Sequence, residues 1–251
     1  MSTTKQNTFN LFKKSLSLEF NDKTKLDNFP KNELPRSQWP EVWKKIYYKA
    51  YPRLDQVVLP KPSYRKLDLL ISLQKRKSNR DFTGKPISKR DLSDLLYYST
   101  GISESKNMRR HYPSAGARYP LEIYPFVFNV EEINSAIYHY HVKTHSLELI
   151  LKKPFLKKIM DQFNQKWIKK SAMLIIVTAI FERTTTKYGD RVYRHILTEY
   201  GHIAQNVYLL SSAFGLGCCS IGGFIDNGLN KLLDIDPVDE SVIGVIAVGS
   251  E

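Results

Sequence analysis

The amino-acid sequence predicts an α+β fold, and three observations support this class. Residues 173–181 are the longest apolar run and have the length of a strand buried on both faces. Residues 192–214 place apolar side chains at intervals of three and four, which predicts a long amphipathic helix. Helical and strand patterns do not alternate steadily, so a parallel βαβ sheet is disfavoured and an α+β domain is favoured.

The composition indicates one large globular domain, alone or with an extension. The chain has 251 residues, of which 42% are hydrophobic, and this fraction is too high for a disordered chain. The formal net charge of +13 fits either an anionic partner or a solvated basic surface. Nucleic-acid binding is not expected, because no zinc-finger spacing and no basic run interleaved with aromatic residues is present.

A cytoplasmic location without membrane contact is expected. Residues 1–20 lack the apolar core of a signal peptide, and no apolar window is long enough to span a bilayer. Cys218 and Cys219 are adjacent, and neighbouring residues rarely adopt disulfide geometry. We expect two small buried thiols and no metal site.

Residues 1–60 are predicted to form an N-terminal arm, and residues 61–251 the main domain. The arm is rich in Lys, Asn, Pro and Ser, and its later part carries aromatic residues that include Trp39 and Trp43. One short helix is predicted over residues 41–49. We expect the arm to pack on the main body or on a partner and not to fold alone.

Beyond residue 63 the hydrophobic pattern becomes regular. Helices are predicted over residues 67–74, 88–100, 155–165 and 192–214. Ser88 and Asp91 form a capping box at the start of the second helix, and Gly101 and Gly215 end the second and the fourth. Strands are predicted at residues 121–130, 136–140, 147–151, 173–181 and 242–248.

A basic turn follows the first of these helices. Arg76, Ser78 and Arg80 alternate there, so in an extended turn they project to one side. Two guanidiniums and a hydroxyl can bind a phosphate dianion through charge-assisted hydrogen bonds. The alternative is a basic helix end that favours the helix dipole.

Two runs of small residues allow a planar ligand to approach the backbone. The first contains Ser114, Ala115 and Gly116, and the second covers residues 217–223. Neither run matches a dinucleotide-binding fingerprint or a P-loop. Either run, taken alone, also fits a tight turn.

Lys187 and Tyr188 lie side by side just before the long helix. Both side chains can transfer protons when their pKa values move from their ordinary range near 10. Arg191 and Arg194 are candidate cations that would lower the pKa of the lysine. Without further context the pair also fits an exposed loop. The three histidines at positions 139, 141 and 145 are interpreted as structural, because no carboxylate in the sequence pattern completes a metal site with them.

In this order along the chain, the motifs resemble those of the SagB-type dehydrogenases, a branch of the FMN-dependent nitroreductase superfamily. The resemblance extends from about residue 49 to the last strand. Its marks are RKSNRDF, LLYYSTGIS, PSAGARYPLEIYPFVFNV, AIYHYHVKTHSLELI, KYGDRVYRHILTEYGHIAQNVYLL and GLGCCSIGGFIDNGLNKLLDID. It implies a nitroreductase-like fold with a central mixed sheet flanked by helices. It also implies a domain-swapped-type homodimer with FMN at the subunit interface.

The resemblance assigns roles to site residues. It implies that FMN phosphate and ribityl oxygens are held by Arg76, Ser78 and Arg80. It implies that one side of the isoalloxazine is lined by Ser114, Ala115 and Gly116, and the other by Ile221, Gly222 and Gly223. Lys187 and Tyr188 fall on the family's catalytic pair.

The function implied by the resemblance is oxidation of peptide thiazolines and oxazolines to thiazoles and oxazoles in ribosomal peptide natural-product biosynthesis. The implied partners are a cyclodehydratase complex and a precursor peptide. Aromatising an azoline removes a hydride, which a flavin accepts, and a proton, which needs a base such as Lys187 or Tyr188. Two alternatives stay open: an NAD(P)H-dependent nitroreductase-like enzyme acting on small molecules, and a flavin-binding scaffold subunit of a peptide-modifying complex.

Overall fold

A seven-stranded sheet organises the computed structural model, which describes residues 15–26, 34–104, 106, 108–152 and 156–251. The strands are β1 (Gln56–Val58), β2 (Ile102–Glu104), β3 (Arg109–Arg110), β4 (Leu121–Val127), β5 (Ala136–His141), β6 (Ser146–Lys152), β7 (Met173–Ile180), β8 (Leu216–Ile221) and β9 (Glu240–Ser250). The order in the main sheet is β1-β6-β5-β4-β7-β9-β8, and β2 and β3 form a separate pair.

The helices lie on both faces of this sheet. They are α1 (Leu16–Lys23), α2 (Glu41–Lys44), α3 (Leu69–Lys75), α4 (Lys89–Thr100), α5 (Leu156–Met160), α6 (Glu182–Tyr188), α7 (Val192–Phe214) and α8 (Asp226–Leu233). Helices α4 and α7 contribute to the apolar core on one face. Helices α5 and α8 contribute to the core on the other face. The predicted α+β class, with helices flanking a central sheet, is confirmed.

The prediction of a mixed sheet needs one correction. Each neighbouring pair described in the seven-stranded sheet runs antiparallel. Strand β7 pairs with β4 on one side and β9 on the other, and its residues 173–179 are buried, as the long apolar run predicts. A parallel pairing occurs as the isolated bridge between Ile87 and Val130.

Several predicted elements are present with shifted bounds. The five predicted strands and the helices at residues 67–74, 88–100 and 192–214 correspond to described elements. Ser88 caps α4 by accepting from the Asp91 backbone N–H at 2.9 Å. Gly215 ends α7 in the left-handed region, with φ 71°. The helix predicted at 155–165 is shorter, as α5, and is followed by a 3-10 turn at Lys166–Lys170.

The predicted arm contributes to the main body. Its short helix is α2, which ends at Lys44, and not at residue 49. Gln56–Val58 forms the edge strand β1 against β6. Residues 1–14 and 27–33 of the arm lie outside the described residues, and the boundary at residue 60 stays a prediction. Among the helices that the structure describes, none has the length and apolar character that a bilayer crossing requires.

Candidate functional site

Lys187 and Tyr188 lie in the last turn of α6, at the point where the chain turns toward α7. Gly189 follows them with φ 52°, and a 3-10 turn at Gly189–Arg191 leads into α7. Both side chains are half-buried. The pair therefore precedes the long helix as predicted, but it ends a helix and is not an exposed loop.

Gly116 lies directly against this pair. A β-carbon built on Gly116 would be 2.6 Å from Tyr188 Oη and 3.1 Å from Lys187 Nζ. Gly116 also has φ +61°, a conformation that glycine adopts without steric cost. The structure thus brings together one run of small residues and the proposed catalytic pair, which lie about 70 positions apart in the sequence.

The loop that carries Gly116 has an unusual backbone. Ala117 and Tyr119 follow with φ 54° and 49°, and a positive φ is uncommon for residues with a β-carbon. The Tyr119 backbone N–H donates to Ser114 Oγ at 2.8 Å, and Tyr119 Oη accepts from the Arg110 N–H at 3.2 Å. Strained positions of this kind persist where the surrounding contacts hold them, and they cluster at functional sites.

A buried carboxylate lies under the same loop. Glu199 Oε1 accepts from Ser114 Oγ at 2.8 Å and from the Ala115 N–H at 3.0 Å. Its side chain is on the buried face of α7, one turn from Ile196 and from Ile203, and the residue is 2% exposed. Burial raises the pKa of Glu199 to about 7, although both hydrogen bonds act in the opposite direction. Glu199 was not among the predicted site residues, although an acidic residue on the apolar face of a predicted helix was a signal for it.

Tyr188 lies in the electrostatic field of Arg118 and Glu199. Burial raises the pKa of the Tyr188 phenol, Arg118 lowers it, and Glu199 raises it. The guanidinium of Arg118 is buried and donates to the carbonyls of Arg183 and Lys45 at 2.7 and 3.0 Å. The His195 ring contacts Tyr188 edge to face, with 5.0 Å between ring centroids. The phenol is thus held neutral in a partly buried, polar environment.

The N-terminal arm covers Lys187. Its Nζ lies 3.3 Å from the centroid of the Trp39 ring, and Trp43 Nε1 donates to the Thr186 carbonyl at 3.1 Å. A cation over an indole face is stabilised in its charged form. The arm therefore packs on the main body, as one of the two expected placements, and does so at the proposed catalytic pair.

The predicted cationic neighbours of Lys187 are placed differently. Arg191 donates to the Thr24 carbonyl, and Arg194 donates to Thr24 Oγ1 and to Asn21. Both guanidiniums therefore anchor α1 to the start of α7. Arg118, which the sequence analysis did not select, is the cation next to the pair.

A buried charge network anchors the base of α6. Arg183 Nη1 forms an ion pair with Glu122 at 2.6 Å, and His139 hydrogen-bonds both Glu122 and Glu148 at 2.9 and 2.7 Å. Burial opposes the charge on Glu122, but His139 and Arg183 lower its pKa to about 2. His139 is structural as predicted, although two carboxylates do flank it. The network ties α6 to the central strands β4, β5 and β6.

Arg76, Ser78 and Arg80 follow α3 and run beside β8. The Arg76 guanidinium lies over the Tyr208 ring at 5.4 Å, and Ser78 Oγ is 2.9 Å from Tyr208 Oη. Arg80 lies beside Cys219, and it counteracts the raised pKa that burial imposes on that thiol. The Asn79 N–H donates to the Cys218 carbonyl at 2.8 Å. Both cysteines are buried free thiols, as predicted.

The second run of small residues forms β8 and the turn after it, whereas the alternative interpretation of this run was a tight turn. Ile221 ends the strand and is buried, whereas Gly222 and Gly223 are exposed. A β-carbon on Gly222 would meet no atom within 4 Å. This edge therefore has room for a ligand.

Three lysines extend the positive charge around Arg80. Lys166, Lys169 and Lys170 line a cavity of about 330 Å³ together with Arg80, Asp81, Phe82 and Trp167. These lysines were not among the predicted site residues, because they lie about 85 to 90 positions from Arg80 in the sequence.

The two groups of candidate residues contact α7 at different points. The loop that carries Gly116 contacts α7 at Glu199, and the turn that carries Ser78 contacts it at Tyr208. Nine residues of helix separate these contacts, which corresponds to about 14 Å along the axis. Within one chain the candidate site is therefore elongated. Lys187 and Tyr188 lie at one end, and Arg76 and Ser78 lie at the other.

The profile of the nitroreductase family matches residues 73–250. The chain belongs to the nitroreductase family. Its general activity class is therefore that of an oxidoreductase of this family. The match includes β4 to β9, Arg76, Gly116, Lys187 and Tyr188.

Three relatives extend this result. A protein from Methanocaldococcus jannaschii that is named as a nitroreductase, MJ1384, is 36% identical over 72% of this chain and 91% of its own length. The trifolitoxin-processing protein TfxB of Rhizobium leguminosarum is 29% identical over 61% of this chain and 45% of its own length. The microcin B17-processing protein McbC of Escherichia coli is 28% identical over 60% of this chain and 57% of its own length. The chain thus spans about half the length of the two processing proteins.

Solved structures show the same fold. A structure from Anabaena variabilis described as a nitroreductase has a TM-score of 0.70 at 26% identity, over 79% of this chain and 42% of that one. The E. coli microcin synthetase McbBCD complex with truncated pro-MccB17 bound contains a chain with a TM-score of 0.61 at 21% identity, over 94% of this chain and 92% of that one. A Desulfovibrio desulfuricans structure in complex with FMN has a TM-score of 0.50 at 17% identity, over 74% of this chain and 87% of that one.

Proposed function

We propose that this protein is an FMN-dependent dehydrogenase of the SagB type that oxidises thiazolines or oxazolines of a ribosomally made peptide to thiazoles or oxazoles. The observation that carries the proposal is the packing of Lys187 and Tyr188 against Gly116. It places two proton-transfer groups against the loop that the resemblance assigns to the flavin ring. The relatives TfxB and McbC, named for the processing of trifolitoxin and microcin B17, support a peptide substrate.

The residues present fit FMN. Arg76 and Arg80 form no ion pair with a carboxylate among the residues that the structure describes, so both cations are available to a phosphate. Ser78 adds a hydroxyl, and Gly222, where a β-carbon would meet no atom within 4 Å, leaves backbone surface open. Arg76, Ser78 and Arg80 would hold the phosphate and ribityl oxygens. Ser114, Ala115 and Gly116 would lie on one side of the ring, and Ile221, Gly222 and Gly223 on the other.

The chain supplies proton transfer and orientation. When bound, FMN supplies the hydride acceptor. Removal of the hydride from one azoline carbon leaves a proton on the neighbouring atom, and that proton passes to a base of the protein. Burial raises the pKa of Tyr188 and Arg118 acts against this effect, while the Trp39 ring of the arm covers Lys187. We infer that movement of the arm accompanies peptide binding.

The proposal includes a homodimer, a cyclodehydratase complex and a precursor peptide as partners. Helix α3 exposes an apolar surface, and its Leu70 is 73% exposed. The residues of this surface are Leu67, Leu69, Leu70, Ile71 and Leu73. An apolar surface of this kind marks an interaction site. It continues directly into Arg76, so a second copy of the chain covering it would also reach the cationic end of the site.

Replacing Arg76 and Arg80 together with alanine is expected to reduce FMN occupancy. Each hydrogen bond from a charged group contributes about 1.5–3 kcal/mol, so the affinity should fall by about 10²-fold or more. The ratio of flavin to protein absorbance after purification measures this loss. Lys77→Ala is the matched control, because it removes an exposed cation from the same turn. Full occupancy in the double variant would contradict the phosphate assignment.

Replacing Leu70 with glutamate is expected to give a flavin-poor monomer. The charge would be buried at the subunit interface without a partner, which is strongly unfavourable. Light scattering should give twice the chain mass of 29.1 kDa for the wild type and that mass itself for the variant. Val238→Glu is the control, because Val238 is equally exposed in a turn distant in sequence. A wild-type monomer with stoichiometric FMN would refute the interface.

A second candidate function is an NAD(P)H-dependent nitroreductase acting on small molecules, and the similarity to MJ1384 favours it. The two functions separate in one experiment on the purified yellow protein. Loss of two hydrogen atoms per ring from a heterocyclised peptide, followed by mass spectrometry, supports the azoline dehydrogenase. NAD(P)H consumption with a nitroarene or quinone, without change in the peptide, supports the second function.

A further inference from the structure

The carboxylate of Glu199 accepts hydrogen bonds from the loop that carries Gly116, although Glu199 itself lies on helix α7. One oxygen, Oε1, accepts from Ser114 Oγ and from the Ala115 N–H. Ser114 Oγ in turn accepts from the Tyr119 N–H. The three contacts connect both ends of the segment that carries Gly116, so the strained loop is held from beneath by one side chain.

The second carboxylate oxygen of Glu199 lacks a hydrogen-bond partner among the described residues. Oε2 is buried and forms no hydrogen bond with the described residues. A carboxyl oxygen buried in this way either carries a proton or faces a group supplied by a ligand. A structural carboxylate such as Glu122 differs, since it pairs with Arg183 and His139.

The surroundings of Glu199 contain few charges. Tyr112 and Tyr188 face it from the loop side and from α6, and its charge acts on both phenols. His195 and His202 lie one turn before and one turn after it on α7, and Arg118 acts on the far side of Tyr188. No cation forms an ion pair with Glu199 within the described part of the chain.

We propose that Glu199 is a positioning residue of the candidate site, which fixes the Ser114–Gly116 surface beneath Lys187 and Tyr188 and whose protonation alters how that surface holds FMN. The inference rests on the proposed binding of FMN and deepens it. In the protonated state the proton resides on Oε2, while Oε1 keeps its two donors. In the ionised state a negative charge is added behind the ring-facing surface, close to Tyr188. The transition is expected near neutral pH, because burial raises the pKa of this carboxyl to about 7.

The test uses the full chain loaded with FMN and follows the visible circular dichroism of the flavin and its dissociation constant between pH 5 and 9. The wild type should show a transition near pH 7. Glu199→Gln keeps an acceptor for both donors and cannot ionise, so its spectrum and affinity should not change with pH around neutrality. Glu199→Ala and Ser114→Ala each remove contacts of the loop and should weaken FMN binding by about tenfold.

Glu131→Gln serves as the control, because Glu131 is an exposed carboxylate outside the site. A transition near pH 7 that persists in Glu199→Gln would overturn the inference, and so would unchanged FMN affinity in Glu199→Ala. These readouts need no azoline substrate. If FMN binding follows the expected pattern and the peptide is not oxidised, the proposed substrate fails and the role of Glu199 stands.

Discussion

Replacing Lys187 with alanine, or Tyr188 with phenylalanine, should reduce azoline dehydrogenation by about 10²–10⁴-fold, the usual contribution of general acid–base catalysis. The reason is that both side chains reach Gly116 at the proton end of the site, whereas the cations assigned to FMN lie along β8. FMN content and subunit assembly should therefore stay at the wild-type level. Product mass and flavin absorbance, measured on the same preparation, separate the two effects.

The combined variant should be little worse than the poorer single variant if the two residues act as one unit. Lys187→Arg is informative, because a guanidinium retains the charge but does not deprotonate near neutrality. Normal turnover in that variant would show that charge, and not proton transfer, is the contribution of position 187. Lys152→Ala is a suitable control, since Lys152 lies on β6, is exposed and pairs with Asp55. Undiminished product from Lys187→Ala would favour a scaffold function.

The fold was predictable where its pattern is local. The apolar run that becomes β7 and the spacing along α7 each reflect one buried element, so the sequence shows them directly. Strand β8 was missed because small residues such as Cys218 and Ser220 do not have the bulk that marks a strand. The antiparallel direction of the sheet was missed for another reason. Strand direction depends on how distant elements pair, and no local pattern reports it.

From the sequence, only the site residues that lie in recognisable motifs could be predicted. The resemblance placed Lys187, Tyr188 and Gly116 in one site, and the structure brings these three together. The supporting residues were not visible, because Arg118 and Glu199 act across about 80 positions of sequence. Their roles for FMN and for catalysis stay predictions. The same holds for the contact of Trp39 with Lys187, which depends on how the arm docks.

The contribution of Glu199 to the free energy of unfolding should become more unfavourable as pH rises toward neutrality. Burial raises the pKa of this carboxyl in the folded state to about 7, from an ordinary value of 4.5. Below pH 4.5 the carboxyl is protonated in both the folded and the unfolded chain, so it does not affect the folding equilibrium. Between pH 4.5 and 7 the unfolded chain releases the proton first, and the folded state loses stability.

Each pKa unit corresponds to about 1.4 kcal/mol, so the loss attributable to Glu199 is about 3 kcal/mol at pH 8. Glu199→Gln removes this dependence, because an amide does not titrate. The free energy of unfolding of the variant minus that of the wild type should therefore rise by about 3 kcal/mol between pH 4 and pH 8. His139 also loses a stabilising charge as pH rises, because Glu122 and Glu148 raise its pKa against the effect of burial. That contribution is common to both proteins and cancels in the difference. Denaturant unfolding at pH 4 and pH 8 measures this difference in the free energy of unfolding. A difference that stays constant between the two pH values would show that Glu199 ionises in the folded protein as it does in the unfolded chain.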